Sequence, residues 1–397
     1  MATQDSPSAE SESDAEPPPL LTPAFARVLF AQLAIGFGFS IYFLLPKYLA
    51  TELHAGATEI GNVAATGLVA AVLATPLMGL ILDRSGRRLP MAMSALLVVI
   101  ASLGMLRVRE VGTLLYALRI VQGVGFALGF NAAAAYVADI APPGRLGQAM
   151  GLLGASSLLT NAIAPALFEI AATHWGWPPV FAAAAVTGVF TAAVAYALPE
   201  PNRSVTSPTG ASLPASRSAR VGFATLMNGA AFGTLITFSL PFALSRGANR
   251  VSSYLIGYTL GALFVRVGLG NLADRGDRRR VAQSALFAYG SVALLTTLLE
   301  PRWLLLFGLG FGVAHGFLYP SLAALAAEGS NPARRGRTLA NFNAAFNSGA
   351  GLALLGGGWV ARAAGYPALF ALVGVVTLTS VLSLTSPAAT LAPESKP

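Results

Sequence analysis

Twelve stretches of about 20 apolar residues follow one another along the chain, and this succession constrains its fold more than any other feature. A stretch of that length spans the hydrocarbon core of a bilayer as one α-helix. Only a helix or a closed barrel satisfies its own backbone N–H and C=O groups where no water is present. The spans fall at roughly 25–48, 57–82, 89–107, 112–139, 146–171, 179–198, 219–244, 251–272, 281–299, 303–327, 337–361 and 366–386. Composition points the same way. Only 11% of residues are charged, whereas a soluble domain carries about 25%, so this chain has too few charges to clothe a water-facing surface. The expected class is an all-α, multi-pass membrane protein embedded in the lipid bilayer.

The net charge of +8 does not indicate a nucleic-acid partner. The arginines sit in separate short loops between apolar runs, whereas a nucleic-acid footprint is one contiguous basic face. The chain has no cysteine and three histidines, His54, His174 and His315, far apart in sequence. Neither a metal site nor a thiol nucleophile is visible, and no cofactor is expected. No nucleophile with its base shares a span, so the chain does not read as an enzyme. No Gly-x-x-x-x-Gly-Lys-Ser/Thr loop is present to hold ATP phosphates.

One charged turn recurs between spans. Gly79-Leu-Ile-Leu-Asp83-Arg84-Ser-Gly86-Arg87-Arg88 closes the second span, and Gly270-Asn-Leu-Ala-Asp274-Arg275-Gly-Asp277-Arg278-Arg279 closes the eighth. The aspartates are 274 − 83 = 191 residues apart, about half the chain. A second echo pairs Gly123-Val-Gly125-Phe126 with Gly308-Leu-Gly310-Phe311, 308 − 123 = 185 residues on. Parallel repeats of this kind imply an axis along the membrane normal and a site between the halves. The repeated turn resembles the loop between helices two and three of the major facilitator superfamily. The Leu45-Pro46-Lys47-Tyr48-Leu49 passage and the tenth-to-eleventh-span passage resemble its arabinose-efflux-type, drug-exporter-like branch.

The resemblance implies two pseudo-symmetric six-helix bundles, and it fits the following division of the chain. Residues 1–22 form an acidic, Pro-rich tail too polar to bury a core, and its acidic character is unlike a signal peptide. Residues 23–198 make the first bundle, 199–218 a Ser/Pro/Thr-rich linker, 219–386 the second bundle, and 387–397 a second tail. Connections after even-numbered spans hold fourteen arginines, and those after odd-numbered spans hold seven arginines and lysines. The positive-inside rule then puts both termini in the cytoplasm of a bacterial inner membrane. Carried over by match, Gly79, Asp83, Arg84, Gly86, Arg87 and Arg88 form a cytoplasmic latch, with Asp83 near the start of helix eleven. Gly270, Asp274, Arg275, Arg278 and Arg279 form its second copy, in which Asp277 replaces Gly86.

Within the spans, charge is the informative signal. Arg119 interrupts the fourth apolar run, and a buried arginine costs roughly 2.5–3.5 kcal/mol even on insertion scales, so it faces a cavity or a partner. Snorkelling is the competing account, since Arg119 lies about 10 Å from the helix start at 1.5 Å per residue. Arg119-x-x-Gln122-Gly123 resembles the superfamily motif associated with proton coupling, and with His315, near the middle of the tenth span, supplies the coupling candidates. Arg266 lies closer to the cytoplasmic end and reads as snorkelling. Asp139 and Glu169, at helix ends, read as interfacial. Gln32, Tyr42, Asn131, Asn161, Asn228, Tyr319, Asn343 and Asn347 are candidates to line a cavity or to bond other helices. In the fifth span Ala164-Pro165 stands where exporters of the superfamily carry Gly-Pro. The resemblance implies a monomeric, rocker-switch secondary transporter of a small organic solute. Proton-coupled efflux is the leading reading. Proton-coupled uptake is the alternative, and a non-transporting sensor on the same scaffold is the rival from another class.

Overall fold

The computed structural model describes residues 22–142, 145–201, 215–269, 277–328 and 335–384. Among them no strand occurs. The helices are α1 (Pro23–Thr51), α2 (Ala57–Ser85), α3 (Arg88–Met105), α4 (Thr113–Ile140), α5 (Leu146–Trp175), α6 (Trp177–Tyr196), α7 (Ala215–Ser245), α8 (Ser252–Gly268), α9 (Arg278–Leu295) and α10 (Leu304–Ala327). A last helical stretch, Arg335–Ser380, breaks at Gly365 (φ 84°), giving α11 (335–364) and α12 (366–380). Ten segments are long and apolar enough to cross a membrane, the 44-residue Asn341–Leu384 among them containing two crossings. Adding α8, 17 residues long, gives the twelve crossings expected. The helix α7 starts at Ala215, inside the expected linker.

Local sequence explains the breaks. In α1, Pro46 brings no N–H to the carbonyl of Tyr42, so the helix tightens through a 3₁₀ turn, Ile41–Leu44, where Leu45 N–H serves that carbonyl instead. Gly176 (φ 76°) ends α5 and Gly365 ends α11, and each is followed by an aromatic residue and a proline. A left-handed glycine stops the helix and proline starts the next. The two turns are 365 − 176 = 189 residues apart, a further trace of the duplication.

Lipid supplies no hydrophobic drive for helix association, so close backbone approach has to provide the packing. In the first bundle α2 crosses α4 where a Cβ on Gly123 would lie 2.1 Å from Gly67 O. In the second, α8 crosses α10 where a Cβ on Gly308 or Gly312 would lie 2.0 Å from Tyr254 O or Tyr258 O. The internal echo of Gly123 and Gly308 therefore marks the same crossing in both halves. Large apolar side chains remain on the outside, Leu73 at 71% and Val267 at 83% exposure, as a lipid-facing surface requires.

The halves meet along α2 against α11 and α5 against α8. The end of the molecule that carries the Gly79–Arg88 turn is termed the motif face, and the other end the opposite face.

Candidate functional site

A cavity of about 240 Å³ lies between the halves, walled by α1, α2 and α4 on one side and by α7 and α11 on the other. Its walls are aromatic: Phe39, Tyr42, Phe43 and Phe126 face Phe232 and Phe346. Arg119 is the one charged side chain in the lining, with Gln122, Thr237 and Asn347 as polar neighbours. The guanidinium is held from α2 and from its own helix. Its Nε donates to Val63 O (3.1 Å), one Nη to Ala64 O (3.4 Å) and the other Nη to Gln122 Oε1. Room for it exists because residue 67 is glycine: a Cβ there would lie 2.5 Å from the guanidinium. Tyr42 lies below it, ring centroid 6.0 Å from the Arg119 Cζ, its hydroxyl 3.1 Å from Ser102 Oγ.

His315 sits behind the wall. Its ring centroid is 4.9 Å from that of Phe232 and 6.1 Å from that of Phe346, both cavity-lining, and it is 7% exposed. Tyr258, Tyr289 and Tyr319 complete an aromatic surround. Its Nδ1 has no hydrogen-bond partner among the described residues.

The opposite face is sealed by a polar lock. Glu169 of α5 is 1% exposed. It accepts from Lys47 Nζ (2.6 Å) of α1 and, across the halves, from the backbone N–H groups of Val251 (2.8 Å) and Ser252 (2.7 Å) at the start of α8. Helix N-termini leave such donors unsatisfied and favour an anion. Lys47 itself donates to Asn249 O (3.1 Å), and Thr58 Oγ1 to Gly358 O (3.2 Å). Both acidic side chains read as interfacial from sequence are in fact buried in ion pairs, Glu169 here and Asp139 at the motif face.

At the motif face the first charged turn ties three helices of one half together. Gly86 (φ 81°) makes the bend. Arg87 Nε donates to Asp139 Oδ2 (2.7 Å) at the end of α4, and the backbone N–H groups of Arg87 and Arg88 reach the Glu200 carboxylate (2.5 and 3.3 Å) beyond α6. Arg88 lies over the Tyr196 ring. Asp83 and Arg84 are exposed. The expected approach of Asp83 to the start of helix eleven involves side chains outside the described residues, as do Gly270, Asp274, Arg275 and the Arg278 side chain. Arg279 Nε donates to Leu384 O.

The other polar candidates separate. Tyr42 and Asn347 line the cavity. Gln32 Nε2 donates to Ser157 Oγ (3.0 Å) and Asn161 Oδ1 lies 2.9 Å from Ser40 Oγ, so both knit α1 to α5. Asn131 bonds back to Ala127 O (2.7 Å) of its own helix, and Tyr319 donates to Asn343 Oδ1 (2.7 Å). Asn228 is fully buried with neither amide atom partnered among the described residues.

The sequence matches the family model of the Major Facilitator Superfamily over residues 28–280 and again over 221–397. The chain belongs to the Major Facilitator Superfamily. Solved structures of similar fold include the nucleoside transporter NupG (13% identity, TM-score 0.75, covering 91% of this chain and 98% of that one). A mutant of the peptide transporter POT in complex with sulfate matches at 14% identity and TM-score 0.77, over 92% and 95% of the two chains. The human organic anion transporter MFSD10 matches at 18% identity and TM-score 0.66, over 92% and 100%. At such identities the likeness is one of fold.

Proposed function

We propose that this facilitator-superfamily member is a monomeric secondary active transporter that exports a small organic solute in exchange for protons across a bacterial inner membrane, both termini cytoplasmic. The observation that carries this reading is the cavity shared by the two halves, with Arg119 in its lining and the Lys47–Glu169 lock closing one end. A site shared between two rocking bundles is exposed to one side at a time. Loss of the lock lets the opposite face open, and the Arg87–Asp139 turn holds the motif end of the first bundle as one rigid piece.

Arg119, Gln122 and His315 are the coupling groups in this scheme. Among the described residues no carboxylate lines the cavity, which makes His315, one ring behind Phe232, the candidate proton carrier. Uptake by symport is a second reading, favoured by Ala164 in place of the glycine that exporters of the superfamily carry before Pro165.

The test is flux in proteoliposomes with an imposed pH gradient. Exchange predicts that a transported solute accumulates in vesicles that are acidic inside. Accumulation only in vesicles that are acidic outside establishes symport. No accumulation of any solute under either gradient, with binding retained, identifies a sensor and overturns transport.

A further inference from the structure

We infer that the solute is an aromatic monocarboxylate, its carboxylate paired with Arg119 and its ring between the aromatic walls. The inference rests on the transport reading above and narrows it to a substrate class. Arg119 carries five N–H donors in a planar fork, and three are engaged by Val63 O, Ala64 O and Gln122 Oε1. All three acceptors are neutral. The lining contains no aspartate or glutamate, and among the described residues Arg119 has no ion-pair partner.

A cation placed in an apolar wall is costly until an anion meets it. Here the guanidinium is fixed by α2 carbonyls and by the space over Gly67, so its fork is set before any solute arrives. That geometry favours a carboxylate, which matches two parallel N–H groups, over a spherical or neutral group. The remaining wall excludes other classes. A cationic solute meets like charge. A dianion finds only one compensating group in the lining, Arg119.

Phe39, Tyr42, Phe43, Phe126, Phe232 and Phe346 offer flat apolar surface on both sides of the space. At about 240 Å³ the cavity is smaller than the roughly 300–1,000 Å³ typical of drug-sized sites. That limits the solute to one or two fused rings.

The experiment measures thermal stabilisation of the purified full-length protein in detergent by benzoate, cinnamate and 1-naphthoate at pH 7.5. Each acid is compared with its primary amide and with the amine of the same skeleton. At least one acid should stabilise, with its amide and amine binding at least about tenfold more weakly, the loss of one charge-assisted contact. Arg119→Gln should abolish the acid's effect, while Arg119→Lys, which keeps charge but not the fork, should weaken it severalfold and shows that the site still folds. An amide or amine that binds as well as its acid, undiminished acid binding by Arg119→Gln, or no stabilisation by any of the acids overturns the inference. Flux of the same panel separates the two readings. Acids that bind but never cross leave the anion site standing without transport. Transport of neutral or cationic solutes alone leaves a transporter of another class.

Discussion

Replacing Glu169 by Gln tests the lock at the opposite face and, with it, the rocking of the two halves. In the closed conformer the carboxylate receives three donors at 2.6–2.8 Å, one of them the ammonium of Lys47, whose residue is 9% exposed. The amide keeps the shape, removes the charge and turns one acceptor into a donor. Breaking a buried pair from one side costs about 3–5 kcal/mol. Lys47 retains its bond to Asn249 O and the amide oxygen still serves one α8 N–H, so the lower value, about 3 kcal/mol, is the working figure. Opening the face returns Lys47 to water, so the penalty is confined to the closed conformer and enters the equilibrium in full. A shift of about 3 kcal/mol is roughly a hundredfold change in the ratio of closed to open molecules.

The chain has no cysteine, so spin labels can be placed at Glu52→Cys and Arg250→Cys without background. Both positions are exposed, one on each half, beside the lock. Electron–electron distance measurements should show a single short population in the parent and a dominant longer one with Glu169→Gln. The pair Lys47→Met with Glu169→Gln removes the stranded ammonium and should recover part of the short population. If Glu169→Gln, eluting as a homogeneous species, gives the parent's distance distribution, the lock does not govern closure.

Three further outcomes follow from the same geometry. Gly67→Ala puts a Cβ 2.5 Å from the Arg119 guanidinium; the flexible arginine end gives way, so solute binding should fall about tenfold while the unfolding temperature holds. Gly312→Ala is the opposite case, because its Cβ would meet Tyr258 O at 2.0 Å and backbone cannot step aside. Thermal unfolding in detergent should show a loss of about 1–3 kcal/mol or more. His315→Asn should flatten the dependence of flux on pH, and an unchanged profile removes His315 from coupling.

Most of the fold is legible in the sequence because lipid leaves so few options. Twelve apolar runs dictate twelve helices, and their ends fall within a few residues of charged or proline-bearing turns such as Gly86-Arg87-Arg88 and Gly365-Tyr366-Pro367. Arg119 stands out for the same reason: a charge inside an apolar run is expensive enough to carry a message. The aromatic wall does not stand out. Phe232 and Phe346 are ordinary residues for a membrane span, and nothing local tells a phenylalanine that faces a cavity from one that faces lipid. The lock was equally hidden. Lys47 and Glu169 are 122 residues apart, each near a helix end where a charge normally meets headgroups. Their pairing depends on the α1–α5 packing, and the rest of the lock on the start of α8. Asn and Gln positions were ambiguous for a related reason, since an amide that lines a cavity and one that bonds a neighbouring helix look alike in a sequence. The structure places Asn347 in the lining and uses Gln32 and Asn161 as ties.

The two halves are copies in backbone yet unequal in chemistry, and that inequality bears on how a transport cycle would work. At the equivalent crossings, α2–α4 in the first half presents Gly67, Arg119 and Gln122, whereas α8–α10 in the second presents Tyr258, Phe311 and His315. On the proposed anion site, the first half holds the solute by charge as well as by aromatic surface, and the second by aromatic surface alone, with a histidine behind it. Charge recognition is directional and strengthens as water leaves, whereas apolar contact is roughly proportional to area and tolerates sliding. When the halves rock, the solute should travel with the half that carries Arg119 and shear against Phe232 and Phe346 of the other. A solute lacking the carboxylate has no such anchor and lets the halves move without it.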